Sequence, residues 1–188
     1  YFESPCIDAG TADIDNNGYE DITEYCEESP DMGAYEFCPC IPEPGIISID
    51  EICYFESDLN VINDFINLNE SLSGDILSIG EQEWENSRLI HLNLDENNII
   101  IIPETIGNLT NLEYLSVYNN EINILPESIG FLNNLKSLSI SANQLTTIPD
   151  EIGNLINLEN LISHNNLISI LPESIANLNN LKYLNFIL

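Results

Sequence analysis

Positive charge is almost missing from this sequence. Arg88, Lys136 and Lys182 are its only basic residues besides two histidines, against 32 acids, for a net charge of -29. A polyanion of this density repels phosphate backbones and anionic lipid, so nucleic-acid and membrane-surface binding are excluded as expectations. Cations are the natural complement, Ca²⁺ above all, although solubility alone is a sufficient role for the charge. No run of 18 apolar residues occurs, so no membrane insertion is expected. No leader is visible at Tyr1. Cysteine is absent after Cys53. Nucleophile elbows, phosphate loops and metal-binding histidine pairs are also absent. A non-enzymatic protein is therefore expected.

What is present in strength is a repeat of 23 residues. Leu89, Leu112, Leu135, Leu158 and Leu181 open five units. Leu92, Leu115, Leu138, Leu161 and Leu184 follow in register, then Leu94, Val117, Ile140, Ser163 and Phe186. Asn97, Asn120, Asn143 and Asn166 form a further column, as do Pro103, Pro126, Pro149 and Pro172. A fixed period of this length means a solenoid, in which each unit buries its apolar face only against its neighbours. The spacing L-x-x-L-x-L predicts a short strand whose alternation sends Leu92 and Leu94 inward and His91, Asn93 and Asp95 outward. A carboxamide carries both donor and acceptor, so the stacked asparagines are expected to satisfy backbone groups where the chain turns inward. Each proline opens a convex segment with an acid in its first turn: Glu104, Glu127, Asp150 and Glu173. Gly107, Gly130 and Gly153 are expected to close that turn, with Ala176 in their place in the last unit.

The unit L-x-x-L-x-L-x-x-N-x-[LI]-x-x-[LI]-P-E-x-I-G-x-L-x-N resembles the leucine-rich repeat. The resemblance implies an α/β solenoid: a horseshoe segment with short parallel strands, an irregular or 3₁₀ convex side and a helical N-terminal cap. It also implies that ligands meet the concave strand face. Ser163 stands where Leu or Ile is expected, which puts a polar group toward the core. The fifth unit breaks off at Leu188 without a cap, so the expectation is either that the chain continues or that something covers the apolar end, self-assembly being one way to cover it.

Residues 1–40 form an acidic, Cys-containing β/loop segment. Cys6, Cys26, Cys38, Cys40 and Cys53 cluster in the first 53 residues, which favours disulfides and a secreted or cell-surface location. A metal-thiolate site is the rival reading, but Cys38-Pro39-Cys40 is too tight for usual zinc geometry. Asp13, Asp15, Asn17, Asp21 and Glu24 place oxygen ligands at loop positions 1, 3, 5, 9 and 12, with the carbonyl of Tyr19 at 7 and Gly18 at the sharp turn. Hard Ca²⁺ takes such a set; an exposed acidic turn built on Asn16-Asn17-Gly18 is the alternative. The loop resembles EF-hand and dockerin-type calcium loops. Ser4-Pro5-Cys6-Ile7-Asp8-Ala9-Gly10 and Pro30-Asp31-Met32-Gly33-Ala34-Tyr35-Glu36-Phe37 resemble the closing coils of secreted right-handed parallel β-helix proteins. That likeness implies a preceding β-helix domain, some relatives of which act on polysaccharides.

Residues 41–88 are read as linker and N-terminal cap. Ile41-Pro42-Glu43-Pro44-Gly45 is a stiff break. Ser57 to Asn69 is expected as a helix, with Ser57 as N-cap, Asp58 in its first turn, and Leu59, Ile62, Phe65, Ile66 and Leu68 mainly on one face. This stretch, with Trp84, resembles the caps of extracellular leucine-rich repeat proteins. Cys53 pairing with Cys38 or Cys40, and Cys6 with Cys26, is one arrangement among several. Asn69-Glu70-Ser71 and Asn108-Leu109-Thr110 match glycan acceptor sequences.

Residues 89–188 are the repeats. Their outward columns are His91, Tyr114, Ser137, Asn160 and Tyr183; Asn93, Ser116, Ser139, Ile162 and Asn185; and Asp95, Tyr118, Ser141, His164 and Ile187. Tyr, Ser and Asn make adaptable contact surfaces. His91 and His164 lie three coils apart, roughly 14 Å at strand spacing, too far to share a metal or a proton. Three functions fit. One is a recognition or adhesion protein binding a protein or glycan on the concave face. Another is a structural subunit of a surface assembly or filament. The last is a piece of a secreted polysaccharide-acting enzyme.

Overall fold

The computed structural model describes residues 44–50 and 52–186. The chain divides into two compact units, Tyr1–Cys53 and Tyr54–Leu188. The division falls inside the stretch read from sequence as linker and cap. Strand β1 (Ile46–Ile49) pairs with β2 (Ile52–Phe55) in a two-stranded sheet, and Asp50 between them has φ +47°. Cys53, on β2, is disulfide-bonded. The calcium-type loop Asp13–Glu24, the β-helix-like segments and Cys6, Cys26, Cys38 and Cys40 lie outside the described residues.

In the second unit, helix α1 (Glu56–Leu68) covers the first coil. It begins one residue earlier than the sequence suggests. Its N-cap is Phe55, with no side-chain cap, so the expected role of Ser57 is not found. The Ser57 hydroxyl instead donates to Asp58. The acids Glu56 and Asp58 suit the positive end of the helix. Leu59, Val61, Ile62 and Phe65 are buried, whereas Leu68 is exposed. Asp58 is fully buried and anchors the helix to the repeats: the guanidinium of Arg88 donates to both of its oxygens at 2.8 and 3.0 Å, and the Leu89 N–H donates at 3.0 Å. Arg88 also lies 4.6 Å over the Phe55 ring.

The main sheet has six strands: β3 (Glu81–Glu85), β4 (Arg88–Asn93), β5 (Tyr114–Ser116), β6 (Ser137–Ser139), β7 (Asn160–Ile162) and β8 (Tyr183–Asn185). β4 to β8 are parallel, and each residue pairs with the one 23 positions on, as in His91–Tyr114–Ser137–Asn160–Tyr183. β3 is antiparallel to β4 and joined to it by Asn86 and Ser87, both at positive φ as a primed hairpin turn requires. Trp84 on β3 packs against the core edge-on to Tyr54, at 4.8 Å, and donates its indole N–H to Gln82. That is the capping role expected of it.

The repeat's leucines and isoleucines make one continuous core from Val61 to Leu178. Leu89, Leu92, Leu112, Leu115, Leu135, Leu138, Leu158 and Leu161 have no exposed surface. Burial of each is worth about 1.5–3 kcal/mol. The convex segments Glu104–Asn108, Glu127–Phe131, Asp150–Asn154 and Glu173–Asn177 are all 3₁₀ helices with proline at the N-cap and an acid in the first turn. The glycines within them act differently from expectation. A Cβ on Gly130 would lie 2.6 Å from the Glu151 carbonyl oxygen, and one on Gly153 2.6 Å from that of Ser174. Glycine is there to let one coil press on the next. Ala176, at the same register, is exposed.

The asparagine ladder forms as its donor–acceptor chemistry requires. Asn120 accepts from the N–H groups of Asn97 and Ile99 and donates to the carbonyls of Leu94, Val117 and Tyr118. Asn143 and Asn166 each reach back one coil in the same way, to Ile122 and Val117 and to Leu145 and Ile140. Asn69 carries the ladder into the cap. It accepts from Ile100 and Ile101 and donates to Phe65 and Ile101. Its amide is buried and spent on those four bonds, which removes it as a glycan acceptor; Asn108 is exposed. Ser163, the polar core substitution, is 1% exposed and donates to the Asn185 carbonyl at 3.4 Å.

Candidate concave recognition face

Alternation within the paired strands puts the first two outward columns on one face of the sheet, and the residues that follow each strand continue it. His91 and Tyr114, on adjacent strands, stack with ring centroids 4.1 Å apart and planes 2° from parallel. Ser137 and Asn160 continue that column half-buried, and Tyr183 ends it half exposed. In the second column, Asn93, Ser139, Ile162 and Asn185 are half-buried. Ser116 is not available in the same way. It is buried, and its hydroxyl donates to the Asp95 carboxylate, which also accepts the Tyr118 N–H at 2.7 Å.

The third column lies past the strands, where the chain begins to turn inward. Tyr118 is exposed there and His164 half-buried. Ser141 is fully enclosed, its hydroxyl 3.1 Å from His164 Nδ1. Tyr118 and His164 hold the same register past their strands, so the enclosure of Ser141 goes with its short side chain and its contact with His164. Ser116 and Ser141 therefore support neighbouring side chains instead of facing a ligand. Ile187 lies outside the described residues. The two histidines sit in separate arrangements, one on Tyr114 and one against Ser141.

Strand β3 enlarges this face beyond the expected columns. Glu81 pairs with Asn93 and Glu83 with His91, and cross-strand partners share a face of the sheet. Both glutamates are exposed, while Gln82 and Trp84 point to the opposite side. The signal was present as the period-two alternation Glu81-Gln82-Glu83-Trp84-Glu85 followed by Asn86-Ser87. Gly80, at φ +66°, leads into the strand where a side chain would strike the Asn93 carbonyl and Leu94. A shallow hollow bounded by Gly80, Glu81, Asn93, Asp95, Glu96 and Asn97 closes this end of the face. Among the described residues no group of three or more His, Cys, Asp or Glu side chains is placed to hold a metal ion, and no helix is long and apolar enough to cross a membrane.

A short-stranded parallel sheet, 3₁₀ convex turns and an asparagine ladder define a leucine-rich repeat solenoid. The family model for a leucine-rich repeat region matches residues 82–187, more than half of the chain, and the chain belongs to that family. A leucine-rich repeat protein of Leptospira interrogans is 40% identical, with a TM-score of 0.52 over 52% of this chain and 25% of its own. The leucine-rich repeat domain of the type III effector XopL is 36% identical, with a TM-score of 0.50 over 53% of this chain and 36% of its own. The ectodomain of the receptor kinase SOBIR1 from Arabidopsis thaliana shares the fold at 22% identity and a TM-score of 0.57, over 70% of this chain and 78% of its own. The chain thus spans about a quarter of the Leptospira protein it resembles. No curated protein matches it.

Proposed function

We propose that this chain is a recognition module that binds a polypeptide across the concave sheet in a secreted or cell-surface setting. The observation that carries the reading is the set of rings on that one face: the stacked His91 and Tyr114, Tyr118 exposed just past β5, and Tyr183 exposed three strands on, on β8. Rigid amphipathic rings give large contact area at low entropic cost, and the half-buried Ser137, Ser139, Asn160 and Asn185 between them supply adaptable hydrogen bonding. The disulfide at Cys53 suits an oxidising compartment. On its oxygen spacing alone, the loop Asp13–Glu24 is assigned a structural Ca²⁺.

The test is selection from a displayed library of random dodecapeptides on the chain, counter-selected on Ser139→Tyr, which fills the centre of the face. Enrichment of clones that bind the parent and not the variant supports the reading. Clones indifferent to Ser139→Tyr, or none at all beside capture on a glycan array, overturn it.

A further inference from the structure

All the Lys and Arg side chains of the chain, 3 in number, are engaged within the fold. Arg88 holds the buried Asp58. Lys136 Nζ lies 2.6 Å from Glu113, and Lys182 Nζ lies 2.8 Å from Glu159. Glu113, Lys136, Glu159 and Lys182 are spaced at the repeat, so they alternate in sign along the rim where the strands begin. None of the three stands in the outward columns of the concave strands.

Carboxylates, in contrast, are concentrated at one end of it. Glu81 and Glu83 stand exposed beside Asn93 and His91. Asp95 and Glu96 border the adjoining hollow. At the other end, on β6 to β8, the outward residues are Ser137, Ser139, Asn160, Ile162, Tyr183 and Asn185, with no acid among them. The face therefore runs from an anionic edge on β3, past the His91, Tyr114 and Tyr118 rings, to an uncharged end where Ile162 and Tyr183 stand among Ser and Asn. Six strands at about 4.8 Å spacing span about 24 Å, the length of about seven extended residues.

Building on the polypeptide reading above, we propose that the partner segment is cationic. It is an extended stretch carrying Lys or Arg, laid across the strands with its positive side chains over β3 and β4 and its apolar ones over β7 and β8. Complementary charge at such a rim acts on partner choice and association rate more than on total affinity. The acidic end therefore selects the segment and fixes its direction. The aromatic rings supply the contact area.

The experiment sequences the dodecapeptides selected as above and measures one dominant clone against two double variants. Glu81→Gln with Glu83→Gln removes charge from the face. Glu104→Gln with Glu127→Gln removes the same charge from the convex side. The expected result is enrichment of Lys and Arg in the clones. Association should slow about fivefold or more for the concave double variant and change less than about twofold for the convex one. Equal losses from both variants mean diffuse attraction to a polyanion and overturn the proposal. Clones without Lys or Arg that still lose binding on Ser139→Tyr overturn it while leaving polypeptide recognition intact. Clones insensitive to Ser139→Tyr overturn that reading itself.

Discussion

Asp58 and Arg88, thirty residues apart, form a bidentate ion pair whose carboxylate is fully enclosed at the junction of the cap helix and the first repeat strand. The same carboxylate receives the Leu89 N–H and the Ser57 hydroxyl, so four donors meet one acid. Removing one member of a buried pair leaves the other desolvated and unmatched, at about 3–5 kcal/mol. Asp58→Ala is expected to lower stability by about 3 kcal/mol, read from the urea midpoint. Asp58→Asn keeps an acceptor for Leu89 and should cost less. A loss below about 0.5 kcal/mol for Asp58→Ala would place the pair among ordinary surface bridges.

Asn120 makes five hydrogen bonds to backbone groups of its own and the preceding coil. Asn120→Ala takes the amide partner from the Asn97 and Ile99 N–H groups and the Leu94 carbonyl, whereas the Val117 and Tyr118 carbonyls still accept from Asn143 and Glu96; each buried group left unsatisfied costs about 1–3 kcal/mol before relaxation. Unfolding of the repeat unit at ambient temperature, or a loss of at least about 3 kcal/mol by urea titration, is expected. Gln144→Ala, at an exposed site beside the ladder, should stay within about 0.5 kcal/mol.

Ala142 occupies the left-handed region at φ +52°, in the register filled by Asn119 and Asn165 at +54° and +55°. A left-handed residue with a Cβ is strained by roughly 1–2 kcal/mol, and asparagine tolerates the region better than alanine. Ala142→Asn should therefore raise the melting temperature, by an amount equivalent to about 0.5–1 kcal/mol. A drop would mean that the neighbouring coils have no room for the amide.

The architecture was legible because a 23-residue period repeats its chemistry. Leucine spacing, ladder asparagines and prolines each announce one structural task several times over. The cap was less legible, since its key residues act once and at long range. Asp58 looked like a helix-dipole acid and Asn69 like a helix end or a glycan acceptor. Their real partners, Arg88 and the backbone of Ile100 and Ile101, are about thirty positions away. On the concave face, alternation found the columns in the strands. It failed at Ser141, whose short side chain lies against His164, and at Ser116, where a short side chain sits under the Asp95 carboxylate. Glu81 and Glu83 escaped because β3 lies outside the repeat and joins the sheet antiparallel.

The calcium assignment rests on spacing alone and is read by titration calorimetry with disulfides intact. Heat of binding at millimolar Ca²⁺ or below is expected for a loop of this ligand set. No heat above buffer would leave Asp13–Glu24 as an acidic turn.

Recognition through the concave face is tested most directly by the affinity of one selected peptide for three proteins: the parent chain, Ser139→Tyr and Phe131→Ser. Phe131 is exposed on the convex side. The account predicts a loss of about tenfold or more for Ser139→Tyr, the effect expected from blocking the centre of an interface, and less than about twofold for Phe131→Ser. Unchanged affinity with Ser139→Tyr, or a larger loss with Phe131→Ser, would contradict it.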